Sequence, residues 1–312
     1  MNASSSNQRS TKAVTYKQKD GLKLFFIALP FMLMIFAFAY VPLFGWGYAF
    51  LDFRFGRSIT EMNFVGFRNF ERLITEWSVV RRVLRNTLAI SFLTLLASPL
   101  PMFFAIMLNE IKIKKFKAVA QTITTLPNFI SWIVVFGIAF SLFSINGGMT
   151  QLLLRLGIDF GPTGILGNND AAWYFQTFLH IWKNLGWGAI IYLAAISSVD
   201  SAMYEAAEID GANRVRCIIH ITIPSILPTY FVLLLLAIGN LLNNGFEQYF
   251  VFHNPLVADR LMVLDYYVYV IGLVAGDFSY SIVVGMLRSI ISVGLLFAAN
   301  YGSKLIRGES LI

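Results

Sequence analysis

The chain has 312 residues, of which 57% are hydrophobic and only 13% are charged, and its mean hydropathy is +0.67. This composition excludes an ordinary soluble domain and is typical of an integral membrane protein. The formal net charge of +7 is split among loops and tails, so we do not expect a nucleic-acid-binding surface. The single cysteine, Cys217, excludes a disulfide bond within the chain.

Apolar segments of about 20 residues, the length needed to cross a bilayer, predict an all-α membrane protein with about six transmembrane helices. The segments are 24–46, 87–108, 119–143, 173–199, 224–243 and 281–301. Before them, 1–22 is rich in Ser, Asn and Lys, and we expect a disordered cytoplasmic tail there. After a single membrane domain over 23–307, the sequence predicts a short cytoplasmic tail at 308–312.

The placement of Lys and Arg predicts the orientation of these helices. Basic residues are concentrated in the N-terminal tail, in the turn 109–118 after the second span, in the loop 200–223 and at the C-terminus. With six spans all four regions lie on one side, so we expect both termini in the cytoplasm. The segments after the third and fifth spans are mainly acidic and are expected to be external.

The segment after the first span is an exception, because 69–85 carries four arginines although it should be external. Its apolar residues recur at helical spacing. We therefore interpret 69–85 as an amphipathic helix that lies in the outer membrane interface and leads into the second span. The alternative is the opposite orientation, against which the other three loops argue.

The loop 200–223 is the most informative part of the chain. Asp200 is a good N-cap for a short helix that ends at Asp210-Gly211, since glycine permits a positive φ. Ala206 and Ala207 keep one side of that helix low, so the backbone of another protein could approach closely. The alternative interpretation is an ordinary helical hairpin between two membrane spans.

The spacing in this loop resembles the EAA loop of permease subunits in binding-protein-dependent ABC importers. That motif is Glu-Ala-Ala, three residues, Gly, nine residues and Ile-x-Leu-Pro, and the only change here is Ile223 in place of Leu. The resemblance implies the type I ABC importer permease fold, in which the loop forms a cytoplasmic coupling helix that docks in a cleft of the ATPase subunit. It implies this role for Glu205, Ala206, Ala207, Asp210, Gly211, Ile221 and Pro224.

Further stretches resemble the carbohydrate branch of that family, which is related to maltose-type permeases. They are Asn63 to Phe70, Arg85-Asn86-Thr87, Ile181 to Gly186 and Phe278-Ser279-Tyr280. The resemblance implies an oligosaccharide or polysaccharide substrate and a multi-pass location in a bacterial plasma membrane. It also implies three kinds of partner: a second permease subunit forming a heterodimer, a dimer of ATPase subunits and an extracytoplasmic solute-binding protein.

Polar side chains within the predicted spans are candidates for the substrate pathway, because burying them in lipid is costly. Amides hydrogen-bond sugar hydroxyls and indoles stack on pyranose rings. The candidates are Asn240, Asn243, Asn244, Trp182, Lys183, Trp187, Glu247 and Arg288. Asn240 and Asn243 are predicted to share one helical face, as the Asn-x-x-Asn pair of maltose-type permeases does. The alternative is that the amides join helices and the indoles form an aromatic belt.

Arg288 lies about 10 Å into the sixth predicted span. A guanidinium at that depth must snorkel outward, pair with a carboxylate such as Glu247, or face the aqueous pathway. In the last case it could hold a uronate, which would favour an acidic saccharide.

The sequence contains no Gly-x-x-x-x-Gly-Lys-Ser/Thr motif, so we expect ATP and Mg²⁺ to bind a partner ATPase and not this chain. The three histidines lie far apart, so we predict no metal site, no cofactor and no enzymatic activity. Two alternatives remain open. One is a permease for another solute class, such as a phosphate ester or a peptide; the other is a stand-alone secondary transporter, which would show inverted repeats.

Overall fold

The structure is a computed structural model that describes residues 21–54 and 56–307. Most of the two predicted tails therefore lies outside it, although Gly21 and Leu22 already belong to the first helix. Within the described residues the regular structure is helical, apart from one isolated antiparallel bridge between Leu51 and Phe64. The prediction of an all-α chain is confirmed.

In chain order the helices are α1 (Gly21–Phe50), α2 (Arg68–Thr75), α3 (Trp77–Leu96), α4 (Leu100–Glu110), α5 (Lys114–Thr125), α6 (Trp132–Phe143), α7 (Gly148–Arg155), α8 (Gly164–Gly167), α9 (Ala172–Ser197), α10 (Ser201–Ile209), α11 (Arg214–Cys217), α12 (Ile223–Gly239), α13 (Glu247–Phe252), α14 (Ala258–Leu261), α15 (Leu264–Tyr269) and α16 (Phe278–Arg307).

Five helical stretches among the described residues are long and apolar enough to cross a membrane. They are Gly21–Phe50, Trp77–Glu110, Trp132–Arg155, Arg214–Gly239 and Phe278–Gly302. A sixth span is obtained if α9 and α10, which meet at a bend of 69°, are taken together. This agrees with the predicted number, although several boundaries differ from the prediction.

The predicted interfacial helix 69–85 is in fact two helices. α2 ends at Thr75, and α3 begins at Trp77 and runs directly into the second span. α2 packs against α16 and the end of α1, where the Arg72 guanidinium lies 4.1 Å from the centre of the Tyr280 ring. Burial lowers the pKa of Arg72, but hydrogen bonds and charge from Asp277 and Glu76 outweigh burial, so the pKa lies above its ordinary value. Protein contacts therefore hold α2 in place.

The third predicted span is also interrupted. α5 stops at Thr125, a 3₁₀ turn covers Leu126–Phe129, and α6 begins only at Trp132. Pro127 at the start of that turn supplies no amide hydrogen, which favours a break at this point. The regular α-helix of the second span is interrupted for a similar reason, since Pro99 lies between the end of α3 and the start of α4.

The fifth span is longer than predicted at one end and shorter at the other. It is helical from Arg214, through a π-helical turn at Ile218–Thr222, to Gly239. Pro224 therefore lies within a continuous helix and does not open one. The predicted end at residue 243 lies beyond the helix.

The long helix α9 occupies the centre of the bundle and contacts α3, α4, α5 and α12. At Gly186 the backbone of α5 approaches α9 so closely that a Cβ at this position would overlap the backbone of Thr124. On another face, Ala189, Tyr192 and Ile196 pack with residues of α4 and with Ile226 of α12. The position of α9 determines which of its side chains can reach the cavity between α3, α4, α9 and α12.

Candidate functional site

A cavity of about 410 Å³ opens between α3, α4, α9 and α12. Apolar side chains form most of its wall, and amides, hydroxyls and one imidazole provide the polar groups. The polar lining residues are Ser91, Thr94, Ser98, His180, Asn184, Tyr192, Tyr230, Asn240, Asn243, Asn244 and Tyr249. The described part of the chain contributes no Asp, Glu, Lys or Arg to this lining.

The three candidate asparagines after α12 all line this cavity, but they do not lie on a helical face as predicted. α12 ends at Gly239, and Asn240 is its C-cap. The chain then turns, and the backbone amide nitrogen of Asn243 donates to the backbone carbonyl of Asn240 over 2.8 Å. The Asn240–Asn243 pair is therefore brought together by a turn.

Side-chain hydrogen bonds hold this turn against α3. The Asn244 amide nitrogen donates to Ser91 Oγ over 2.8 Å, and Ser91 Oγ donates in turn to the Leu241 carbonyl. The other amide atom, Asn244 Oδ1, is buried and has no hydrogen-bond partner among the described residues. In contrast, the Asn243 side chain is exposed and makes no hydrogen bond within the described part of the chain. Asn243 is thus available to a ligand.

Helix α9 presents His180, Asn184 and Gly188 to the cavity, at the four-residue spacing of one helical face. Asn184 is fixed there because its Oδ1 accepts from Asn128 over 2.9 Å and its Nδ2 donates to the His180 carbonyl. Asn184 belongs to the stretch Ile181 to Gly186 that the sequence singles out, whereas His180 is not among the predicted pathway residues. The four-residue spacing between His180 and Asn184 was the signal that could have identified His180.

The predicted α9 candidates Trp182, Lys183 and Trp187 point away from the cavity and are not part of its lining. Lys183 is buried and donates to the carbonyls of Pro127 and Asn128, at 3.2 and 2.7 Å. These carbonyls belong to the break between α5 and α6, so Lys183 supports the fold. The two indoles are partly exposed, and Trp187 packs edge-on against Phe129.

Arg288 is likewise not in the cavity lining, and its partner is Asp265 on α15, not Glu247. The second carboxylate oxygen of Asp265 accepts from the amide nitrogen of Gly245 over 3.1 Å. Asp265 therefore links α16 to the turn that carries the three asparagines. Glu247 is exposed at the start of α13, outside the cavity.

At the opposite end of α12, the loop 200–223 has the predicted local structure. Asp200 caps α10 by accepting from the Ala202 amide nitrogen over 2.9 Å, and Gly211 turns the chain with a φ of 77°. A second cap, Asn213, then starts α11. Glu205 and Ala206 are exposed along α10, while Ala207 is half-buried.

Two contacts fix α10 and α11 to the bundle. The hydroxyls of Tyr204 and Thr222 lie 2.9 Å apart, and Arg214 pairs with Glu110 at the end of α4 at 3.6 Å. Ile221 is buried close to Thr222. The remaining motif positions, Asp210 and Pro224, are exposed. Helix α10 is thus exposed, while the loop that carries it is fixed to the bundle by these two contacts.

The sequence profile described as "Binding-protein-dependent transport system inner membrane component" matches residues 97–306 of this chain. The chain belongs to this family. It is therefore a membrane-spanning permease subunit of an ABC importer, as the EAA-type spacing predicted.

Two relatives of this permease come from Bacillus subtilis (strain 168). Protein LplB is 38% identical over 293 residues, covering 92% of this chain and 90% of the relative. The polygalacturonan/rhamnogalacturonan transport system permease protein YteP is 37% identical over 284 residues, covering 90% and 87%.

The permease also resembles a solved structure, that of a bacterial alginate ABC transporter in complex with an alginate pentasaccharide-bound periplasmic protein. The TM-score is 0.82 at 30% sequence identity, and the match covers 95% of this chain and 99% of the other. The type I importer fold is thereby confirmed for this permease.

Proposed function

We propose that the permease passes an oligosaccharide or polysaccharide through the cavity between α3, α4, α9 and α12. The observation that carries this proposal is the lining itself, in which amides and hydroxyls are set among apolar and aromatic side chains. Such groups bind the hydroxyls of a sugar and the apolar face of its ring. A phosphate ester would instead call for cationic groups.

The named relatives support a saccharide substrate. YteP is named for polygalacturonan and rhamnogalacturonan transport, and the matched structure is that of an alginate transporter. An acidic saccharide carries carboxylates, yet Arg288 is paired with Asp265 and Lys183 with two carbonyls. We propose that this subunit binds sugar hydroxyls and leaves any carboxylates to the groups of its partner permease.

ATP hydrolysis then takes place on separate subunits, with ATP and Mg²⁺ bound there. The exposed α10, with Glu205, Ala206, Ala207, Asp210 and Gly211, docks on the ATPase, while Ile221 and Pro224 join it to α12. α12 connects this loop directly to the cavity, so a displacement of α10 biases the bundle between inward-facing and outward-facing states. The chain itself supplies no catalytic group.

The full importer in this proposal contains a second permease subunit, an ATPase dimer and an extracytoplasmic binding protein that delivers the saccharide. Its place is a bacterial plasma membrane, with α10 and both chain ends in the cytoplasm. The sequence supports this orientation because Lys and Arg are concentrated both in the loop that carries α10 and in the turn between α4 and α5, as is typical of cytoplasmic loops.

The test is uptake by the complete importer reconstituted in proteoliposomes, with Asn243→Leu compared with wild type. Because the Asn243 side chain has no partner to lose among the described residues, we expect normal assembly and an uptake rate lower by about tenfold, equivalent to about 1.4 kcal/mol. The matched control is Asn63→Leu, which changes an exposed asparagine outside the cavity lining and should leave uptake unchanged. Saccharide uptake by the permease without an ATPase would contradict the importer mechanism.

A further inference from the structure

Five aromatic side chains lie together where α13 approaches α15: Phe246, Phe250, His253, Tyr266 and Tyr269. We call them the aromatic cluster. We propose that this cluster is a second saccharide-binding site, on which a sugar ring stacks at the mouth of the cavity. This inference rests on the proposed function, because it assumes that the permease carries a saccharide.

The rings of the aromatic cluster form one continuous surface. The centroid of Phe246 lies 5.1 Å from that of Phe250 and 4.7 Å from that of Tyr269. Tyr266 stacks on Tyr269 with centroids 6.2 Å apart, and its ring is tilted by 50° against that of His253 at a centroid distance of 4.8 Å. Because each ring packs against at least one other, the surface keeps its shape without a ligand. A preformed surface loses little conformational entropy when it binds a ligand.

The aromatic cluster is accessible and has the polar groups that a sugar requires. Phe246 is 36% exposed and Phe250 is 45% exposed. The phenol hydroxyls of Tyr266 and Tyr269 are not buried and have no hydrogen-bond partner in the described part of the chain. Glu247 is exposed next to Phe246 and offers carboxylate oxygens to sugar hydroxyls. Ring faces combined with hydroxyl and carboxylate groups suit an amphipathic pyranose.

Three connections place the aromatic cluster at the cavity mouth. Phe246 follows Asn244 by two residues, and Asn244 lines the cavity. Gly245, between them, is held by Asp265, the neighbour of Tyr266. Tyr249, the residue before Phe250, is buried and also lines the cavity. A saccharide that reaches the asparagines can therefore extend onto the rings.

The aromatic cluster also lies at the end from which substrate would enter. The helix from Arg214 to Gly239 has 26 residues, so about 39 Å separates α10 from the turn before the cluster. In the proposed orientation α10 is cytoplasmic, and the cluster is then on the external side. An external site next to the cavity is the place where a delivered saccharide makes its first contact with this subunit.

A lipid-facing surface would have a different composition. An exposed carboxylate in the hydrocarbon layer is costly, yet Glu247 lies exposed on the same short helix as Phe250. By contrast, α1 exposes long runs of aliphatic and Phe side chains without a charged residue between Leu24 and Phe50. The chemistry of the aromatic cluster fits an aqueous surface that contacts a sugar.

The test compares Phe250→Leu, which keeps apolar volume but loses the ring, with Phe250→Trp, which keeps an aromatic face. Both are assembled into the complete importer with its binding protein. The probes are oligosaccharides of two and five residues released from polygalacturonan and from alginate. For Phe250→Leu we expect uptake of the five-residue probe to fall about fivefold, the effect of one lost ring contact, while the two-residue probe is unaffected. Phe250→Trp should retain uptake of both lengths.

Phe297→Leu is the control, since Phe297 is exposed on α16 and lies outside the cavity lining and the aromatic cluster. Equal effects of Phe250→Leu on short and long probes, or no effect, would overturn the proposal and assign the rings to packing against the partner permease. If Phe250→Leu does not assemble, Tyr269→Phe serves instead, with an expected threefold or so loss confined to the long probe. An importer whose wild type takes up neither these probes nor neutral oligosaccharides of the same two lengths would contradict the proposed function itself.

Discussion

Gly211 shows how a single residue shapes the loop 200–223. Its φ of 77° lies in the left-handed region, and no other described atom lies within 4 Å of where a Cβ would be. Any effect of a substitution here must therefore come from the backbone conformation and not from a clash. The turn at Gly211 sets the direction of α10, so in the proposed function backbone strain at this residue changes how α10 docks on the ATPase.

We expect Gly211→Val to lower the amount of saccharide transported per ATP hydrolysed, because a β-branched residue at positive φ costs about 1–2 kcal/mol. Gly211→Asn is the matched control, since Asn tolerates the left-handed region, and it should keep most of the coupling. The measurement is parallel uptake and ATPase activity of the reconstituted importer. Full uptake with Gly211→Val would show that the turn is not part of the coupling.

At this scale the sequence predicts the local structure of the loop 200–223 better than the lining of the cavity. Asp200, Gly211 and the motif spacing depend on local structure, which neighbouring residues determine. The cavity residues depend on which face of α9 turns inward, and this is decided by α5 packing at Gly186. For that reason the sequence predicts Lys183 as a pathway residue, whereas the structure places Asn184, the next residue, in the cavity lining.

At the scale of elements, Asp265 joins three parts of the bundle. Its carboxylate pairs with Arg288 of α16 and accepts from Gly245 in the turn after α12. Only 9% of the Asp265 side chain is exposed, so its charge depends on Arg288 for compensation. The pair thereby positions the asparagines without touching the cavity.

Arg288→Met should therefore reduce uptake of acidic and neutral saccharides to the same extent. It leaves Asp265 without a cation, at a cost of about 1–3 kcal/mol after a discount for the partial exposure of Arg288. The double variant Arg288→Met with Asp265→Asn should recover most of the uptake, because an amide oxygen can still accept from Gly245. Initial uptake rates with both substrate classes provide the measurement. A loss confined to acidic saccharides would assign Arg288 to substrate binding.

Local sequence accounts for a helix break only where proline marks it. Pro99 and Pro127 coincide with the breaks in the second and third spans, whereas Glu76 separates α2 from α3 with no helix-breaking residue. The cause of that break is tertiary: Phe70 and Leu73 of α2 pack with Tyr280 and Val284 of α16. Contacts so distant in sequence leave no local signal.

At the scale of the whole molecule, the proposed orientation in the membrane can be tested at a single thiol. Cys217 is the one cysteine of the chain and follows α10 closely, with its side chain half-buried. It is therefore a natural reporter for the side on which α10 lies.

We expect a membrane-impermeant maleimide to label Cys217 in inverted membrane vesicles at several times the rate seen in intact cells. The control variant carries Cys217→Ser together with Ser58→Cys, which places the thiol in the exposed segment between α1 and α2. Its labelling should show the reverse preference. Faster labelling of Cys217 in intact cells would contradict the proposed orientation.

The helix from Arg214 to Gly239 has a consequence for how force crosses the membrane. Ile226 lies near its middle and is fully buried against residues of α4 and α9, so the packing gives this helix a pivot there. A rod that tilts about its midpoint moves its two ends in opposite directions. In the proposed function, a displacement of α10 by the ATPase would then move Asn240, at the other end of the helix, in the opposite direction. Tilting of this one helix would thereby close the pathway at one face of the membrane while opening it at the other.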